Sequence, residues 1–166
     1  DIDDTLYSTS EFARRARENS IDAMIAAGLR VDRAQLIAEL DEVIAEFSSN
    51  YSHHFDKLLV RVPKNALVGI NPAMVVAAAV VAYHETKFRE LQPYDDVPPL
   101  LKDLADADIV TGIITAGPTV KQAEKLVRLD IARHLDGNAI FISDQIGISK
   151  PNPKLYLRAC QGVGVD

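Results

Sequence analysis

Asp1, Asp3 and Asp4 put three carboxylates within four residues of "DIDDTL". Like charges at that spacing oppose one another unless a positive group sits among them. The stretch is therefore either a solvated chain end or one side of a cation and phosphate site. Thr115 ends the apolar run "DIVTGIIT", and Gly117-Pro118 just after it favours a helix start, so its hydroxyl and nearby backbone N–H groups can face an anion. Lys150, in "GISKPNP", lies in a loop fixed by Pro151 and Pro153. Taken singly, a Thr at a strand end and a surface Lys are ordinary structural residues. Their order makes them a set: an acid pair spaced DxD, then Thr after one apolar strand, then Lys before Pro after another.

These groups need a sheet to bring them together, because in parallel sheets ligands bind beyond the carboxyl ends of the strands. The β-branched residues Ile109, Val110, Ile113 and Ile114 predict a buried parallel strand ending at a Gly. A helix over Val120–Arg128 follows, then a strand in "NAIFIS" and a last helix in "DQIGISKPNPKLYLRAC". Strand, helix, strand, helix is the pattern of an α/β layer fold.

Between the acid pair and this half, Thr9 to Gln92 reads as helices with short breaks. One helix starts at Thr9 or Ser10, runs through Phe12, Ala16, Ala23 and Ala27, and stops at Gly28. A second follows Asp32, with Leu36, Leu40, Val43, Ile44 and Phe47 on one face and Glu39, Asp41, Glu42 and Glu46 on the other. A short helix over His54–Val62 ends before Pro63, and a long one runs from Asn71-Pro72 to about Leu91. Pro93, Pro98 and Pro99 in "QPYDDVPPLLKDL" then mark a linker and a new helix. There is no internal repeat.

At 166 residues and 48% hydrophobic content the chain is long enough for one core with a modest inserted module. Eighteen Lys and Arg against 24 Asp and Glu give a net charge of -6, with no basic block, which argues against nucleic acid or an anionic membrane as partner. Met74 to Tyr83, the most apolar run, is about half the ~20 residues that span a bilayer and is expected to be a buried helix. Cys160 is the single cysteine, so it has no partner for an intrachain disulfide or a CxxC pair, and a reducing, cytoplasmic compartment fits. His53 and His54 are adjacent and point different ways, which makes them poor joint ligands.

Taken together, the motifs resemble those of the haloacid dehalogenase superfamily of aspartate-nucleophile phosphohydrolases. Its first motif, DxDx(T/V), is matched by Asp1-Ile2-Asp3-Asp4-Thr5, its second by Thr115 in "GIITAG" and its third by Lys150 in "GISKPNP". The helical segment resembles the cap of the subgroup that includes β-phosphoglucomutase and phosphoglycolate phosphatase. Within it, "ARENSIDAMIAAGL", "AYHETKF" and "TAGPTVKQAEKLVRLDI" resemble archaeal phosphatases described as acting on glyceraldehyde 3-phosphate.

The resemblance implies an α/β fold: a doubly wound parallel-sheet (Rossmann-like) core over residues 1–11 and 96–166, with an inserted α-helical cap over residues 12–95. It implies a phosphatase of a small phosphorylated metabolite, with Asp1 as nucleophile and Asp3 as acid and base. Thr115 and the backbone N–H of Ala116 would hold phosphate, Lys150 would balance its charge, and Mg2+ would bind at Asp1 and Asp3. A carboxylate can attack phosphorus, splitting one hard hydrolysis into two easier steps. Asp3 favours phosphoryl transfer over a 2-haloacid dehalogenase-type reaction, because dehalogenases attack carbon and keep no acid two positions after the nucleophile. Asp4 is read as a turn residue.

Relatives also carry an apolar strand before the first motif and an acidic GDxxxD motif after the third. Neither is present, so the sequence is expected to be an internal fragment that is itself inactive. Asp144 precedes the Lys loop, where relatives carry a Ser-Asp or Ser-Glu pair, and is not taken as the fourth acid. Tyr7, Arg14 and Arg15 are candidate substrate contacts. The alternatives are a receiver-like domain, against which the helical insertion of about 80 residues counts, and a phosphate-binding module without catalysis.

Overall fold

A computed structural model of the chain describes residues 1–165, which form two compact units. The first comprises Asp1–Ser10 and the chain from Leu91 onward; the second is Glu11–Glu90.

The second unit is helical. Helix α1 (Thr9–Ala26) enters it, followed by α2 (Arg33–Phe47), α3 (His54–Arg61) and α4 (Pro72–Glu90). Asp32 starts α2 by accepting from the Gln35 N–H, satisfying one of the amides that every helix start leaves bare. Ile21, Met24, Leu29, Leu36, Leu40, Leu58, Val75 and Ala79 form the core of this unit. The Ser20 hydroxyl lies 2.8 Å from the Ala16 carbonyl and 3.0 Å from that of Ala79, fastening α1 to α4. Arg61 of α3 pairs with Glu39, Glu42 and Glu46 of α2. The apolar run expected as a buried helix lies in α4, which buries one face only: Val75 and Ala79 are fully buried, but Met74, Val81 and Phe88 are exposed. Small Ala residues let that face pack closely. No helix among the described residues is long and apolar enough to cross a membrane.

The first unit carries α5 (Val97–Asp106), β1 (Ile113–Thr115), α6 (Thr119–Arg128), β2 (Ile140–Ile142), α7 (Ser143–Ile146) and α8 (Pro153–Gly162). Strands β1 and β2 pair in parallel, Ile113 with Ile140 and Thr115 with Ile142, and α6 lies between them in sequence as a β-α-β crossover. Ile2, Leu101, Ile113, Leu126, Ile131, Ile142 and Leu155 fill the core. Gly112 is required at the start of β1, because a Cβ there would stand 2.4 Å from the Ala139 carbonyl oxygen.

The first strand is shorter than its β-branched residues suggest. Ile109 and Val110 are exposed. The Ile109 amide bonds to the Leu104 carbonyl in the turn after α5, and the Thr111 carbonyl accepts from the Asp136 N–H ahead of β2, outside the strand pairing. Where the chain leaves and re-enters this unit, the Tyr94 N–H donates to the Leu6 carbonyl at 2.8 Å.

Candidate active site

Asp1, Asp3, Thr115, Ala116 and Lys150 all belong to the first unit. Lys150 Nζ lies 2.5 Å from Asp1 Oδ2, while Asp1 Oδ1 accepts from the Ile2 N–H at 2.8 Å. The loop bearing Lys150 is fixed at both ends. Gly147, with φ 75°, closes α7 in the left-handed conformation, and Asn152 caps α8 by accepting from the Lys154 N–H, with Pro153 in the first turn. The Lys150–Pro151 peptide is cis.

Ile2 is fully buried between the two acids, which anchors the backbone that carries them. Asp4 turns the chain directly after Asp3: its φ is 53°, a conformation that Asp tolerates better than most residues, and its Oδ1 accepts from the Thr9 N–H at the start of α1.

The Asp3 carboxylate has four contacts. Lys125 Nζ lies 2.6 Å from Oδ1 and 2.7 Å from Oδ2; the Tyr7 hydroxyl donates to Oδ1 at 2.6 Å; Gln122 Nε2 donates to Oδ2 at 3.2 Å. Burial alone would push the Asp3 carboxyl up, but the Lys125 ammonium and the two neutral donors outweigh it and hold it below the usual carboxylate range. Tyr7 is buried, and burial followed by the neighbouring Asp3 charge pushes its phenol well above the ordinary value.

Thr115 ends β1 fully buried, and its Oγ1 has no hydrogen-bond partner among the described residues. A buried hydroxyl left in that state costs free energy unless a ligand supplies the partner. The turn after it is held by side chains. The Gly117 N–H donates to Ser143 Oγ at 3.0 Å, the Ala116 carbonyl accepts from Gln122 Nε2 at 2.9 Å, and both the N–H and the hydroxyl of Thr119 donate to Asp144 Oδ2, at 2.9 and 2.7 Å. Asp144 thus satisfies a first-turn amide of α6 from outside that helix, and these bonds hold its carboxyl below the usual range.

Two residues that approach Asp3, Lys125 and Gln122, were not selected from the sequence, where α6 reads as an ordinary amphipathic helix. The usable signal was their i, i+3 spacing together with a DxD pair in need of a cation. Of the candidate substrate contacts, Tyr7 has its hydroxyl on Asp3. Arg14 pairs with Glu18 and Arg15 with Glu90 in the helical unit. His54 bonds the Ser48 carbonyl and His53 lies beside Asp56. No cluster of three or more His, Cys, Asp or Glu side chains among the described residues is arranged to hold a metal.

A family model described as haloacid dehalogenase-like hydrolase matches residues 1–166. The chain is 48% identical over 168 residues to a glyceraldehyde 3-phosphate phosphatase of Methanopyrus kandleri, covering 99% of this chain and 69% of that protein. It is 42% identical over 166 residues to a protein of the same name from Pyrococcus abyssi, covering 100% of this chain and 67% of the relative. Among solved structures, a 2-haloacid dehalogenase of Pseudomonas syringae pv. Tomato DC3000 superposes with a TM-score of 0.56 at 24% identity, over 99% of this chain and 71% of that one, a likeness of fold alone. With the acid pair, the buried Thr and the Lys–Asp ion pair assembled on one parallel α/β unit, the chain belongs to the haloacid dehalogenase-like hydrolase family.

Proposed function

We propose that the protein is a phosphatase that hydrolyses the monoester of a small phosphorylated metabolite through an aspartyl-phosphate on Asp1. The observation that carries this reading is the 2.5 Å contact of Lys150 with Asp1. A phosphate dianion approaching a carboxylate meets like charge, and at ~4 Å and an effective dielectric near 20 each pair of unit charges opposes by about 4 kcal/mol. An ammonium group already on Asp1 offsets part of that, and the partnerless Thr115 hydroxyl supplies a donor for a phosphate oxygen, with the Ala116 N–H beside it.

In the first step an Asp1 oxygen bonds to phosphorus, the ester P–O bond breaks, and Asp3 gives a proton to the leaving alkoxide. In the second, water attacks the aspartyl-phosphate, Asp3 takes a proton from it, and the P–O bond to Asp1 breaks. Bond for bond this regenerates the enzyme. The partners of Asp3 favour its ionised form, which serves the second step; the negative charge of an incoming phosphate favours protonation, which serves the first.

The donors at this end of the unit are oxygens, which suit a hard cation. Mg2+ characteristically uses one or two carboxylates and completes its shell with phosphate and water, so Asp1 with a group of Asp3 fits it. It would supply charge neutralisation at the phosphate.

The names of the two archaeal relatives make glyceraldehyde 3-phosphate the first substrate to test. We read residues 11–90 as a cap governing entry. A dehalogenase reaction is disfavoured because Asp3 would have no role in it. The test is phosphate release from glyceraldehyde 3-phosphate and from an aryl phosphate with Mg2+, with acid-quenched samples analysed for label on the protein from a radiolabelled phosphoester. Label on the native protein and none on Asp1→Asn is expected. Absence of phosphate release from every ester by the full-length protein overturns the reading.

A further inference from the structure

We propose that Lys125 is a positioning residue for Asp3, aided by Gln122 one turn earlier on α6, so that the helix after the phosphate-holding turn sets the direction from which Asp3 reaches the leaving group. The proposal rests on the phosphatase reading above.

Three features carry it. First, the ammonium bridges both oxygens of Asp3, at 2.6 and 2.7 Å, which fixes the plane of the carboxylate as a contact to one oxygen would not. Both side chains are largely withdrawn from solvent, with relative exposures of 19% for Lys125 and 31% for Asp3, so the pair differs from a surface ion pair free to reorient. Second, Gln122 is buried and its Nε2 group reaches two acceptors, Asp3 Oδ2 and the Ala116 carbonyl. It therefore ties the carboxylate to the backbone that follows Thr115. Third, the space for this amide depends on Gly117: a Cβ there would stand 2.5 Å from Gln122 Nε2.

A merely structural ion pair and a positioning one differ in what they do to the reaction. Losing a structural pair lowers stability and slows all substrates by the same factor. Losing the alignment of a general acid selectively slows esters whose leaving group needs a proton, because an alkoxide requires protonation as it departs and p-nitrophenolate does not. General acid–base catalysis contributes roughly 10²- to 10⁴-fold. Lys125→Met should therefore lower kcat about 10²-fold for an alkyl phosphate of a three-carbon metabolite but less than about tenfold for p-nitrophenyl phosphate, with little change in KM for either. Lys125→Arg should restore most of the alkyl rate, since a guanidinium can also bridge two carboxylate oxygens.

The experiment measures kcat and KM for both esters in the full-length native protein and in its Lys125→Met, Lys125→Arg and Gln122→Leu variants, with circular dichroism to confirm folding. Gln122→Leu removes both amide contacts at similar volume and should give a smaller loss with the same selectivity; it decides the matter if Lys125→Met fails to fold. Equal losses on the two esters, no loss, or failure of Arg to restore the alkyl rate overturns the proposal. A full-length native protein inert towards both esters overturns the phosphatase reading itself, an outcome distinct because it needs no variant.

Discussion

Lys150 Nζ and Asp1 Oδ2 meet at 2.5 Å although they stand at nearly opposite ends of the chain. Two fixed turns, one beside the buried Ile2 and one between α7 and α8, deliver the pair. The cation at Asp1 comes from a loop and touches one oxygen of the proposed nucleophile, whereas the cation at Asp3 comes from a helix. The two acids are thus held by different elements and can be perturbed separately.

Asp1→Asn is expected to abolish turnover, a loss of at least about 10³-fold, because an amide does not form the covalent intermediate. Lys150→Met should weaken activity chiefly through KM for the phosphoester. Steady-state phosphate release checks both, and near-normal turnover by Asp1→Asn would refute the nucleophile assignment.

Thr115→Val should separate stability from function. Valine has nearly the shape of threonine, and the hydroxyl it removes is buried without a partner. Thermal unfolding should show the variant as stable as the native protein, or more stable by up to about 1 kcal/mol, while KM for a phosphoester rises about tenfold. A destabilised variant with unchanged KM would mean that the hydroxyl serves the fold.

Gly117→Ala should cost about 1–3 kcal/mol, since φ there is 138° and the added methyl would displace Gln122. Activity towards alkyl phosphates should fall further than that towards aryl phosphates. Chemical denaturation alongside kinetics tests the two effects together.

Asp144→Asn gives the pH prediction. The bonds from Thr119 lower the folded-state pKa of Asp144 below its unfolded value. Its contribution is therefore fully present above the unfolded carboxylate value, near 3.9, and is lost as pH falls through the lower folded one. The native protein should be more stable than the variant at neutral pH, and the gap should close as pH falls below the unfolded carboxylate value. Melting temperatures across that range measure it. A large loss of Mg2+ affinity instead would make Asp144 a metal ligand.

The residues that were legible in the sequence are those whose chemistry is local. Asp1 and Asp3 are two apart, Thr115 follows an apolar run, and Lys150 sits among prolines, so short windows contain their signals. The helices of the second unit were legible for the same reason: Leu36, Leu40 and Val43 mark one face by spacing alone. Lys125 and Gln122 were not, because what distinguishes them from other polar residues of α6 is a carboxylate more than a hundred residues earlier. β1 is shorter than its β-branched residues suggest because such residues state a preference, whereas a strand needs a neighbour; the Ile109 amide bonds to Leu104 instead, and Val110 is exposed. Asp144 showed the converse, its role fixed by a helix start that it meets only in the folded unit.

The hydrogen bond between Leu6 and Tyr94 closes a stretch of chain whose interior folds into helices. Contacts within those helices span a few residues, while those that build the first unit, such as Gln122 with Asp3, span over a hundred. Chain segments with local contacts form fastest, and the entropy of joining distant ends is felt most when the chain between them is still random. Helix formation in residues 11–90 would thus shorten the effective tether between the first acid and the first strand before they meet. The helical unit then forms first, and destabilising α2 or α4 should slow assembly of the unit that carries the two acids.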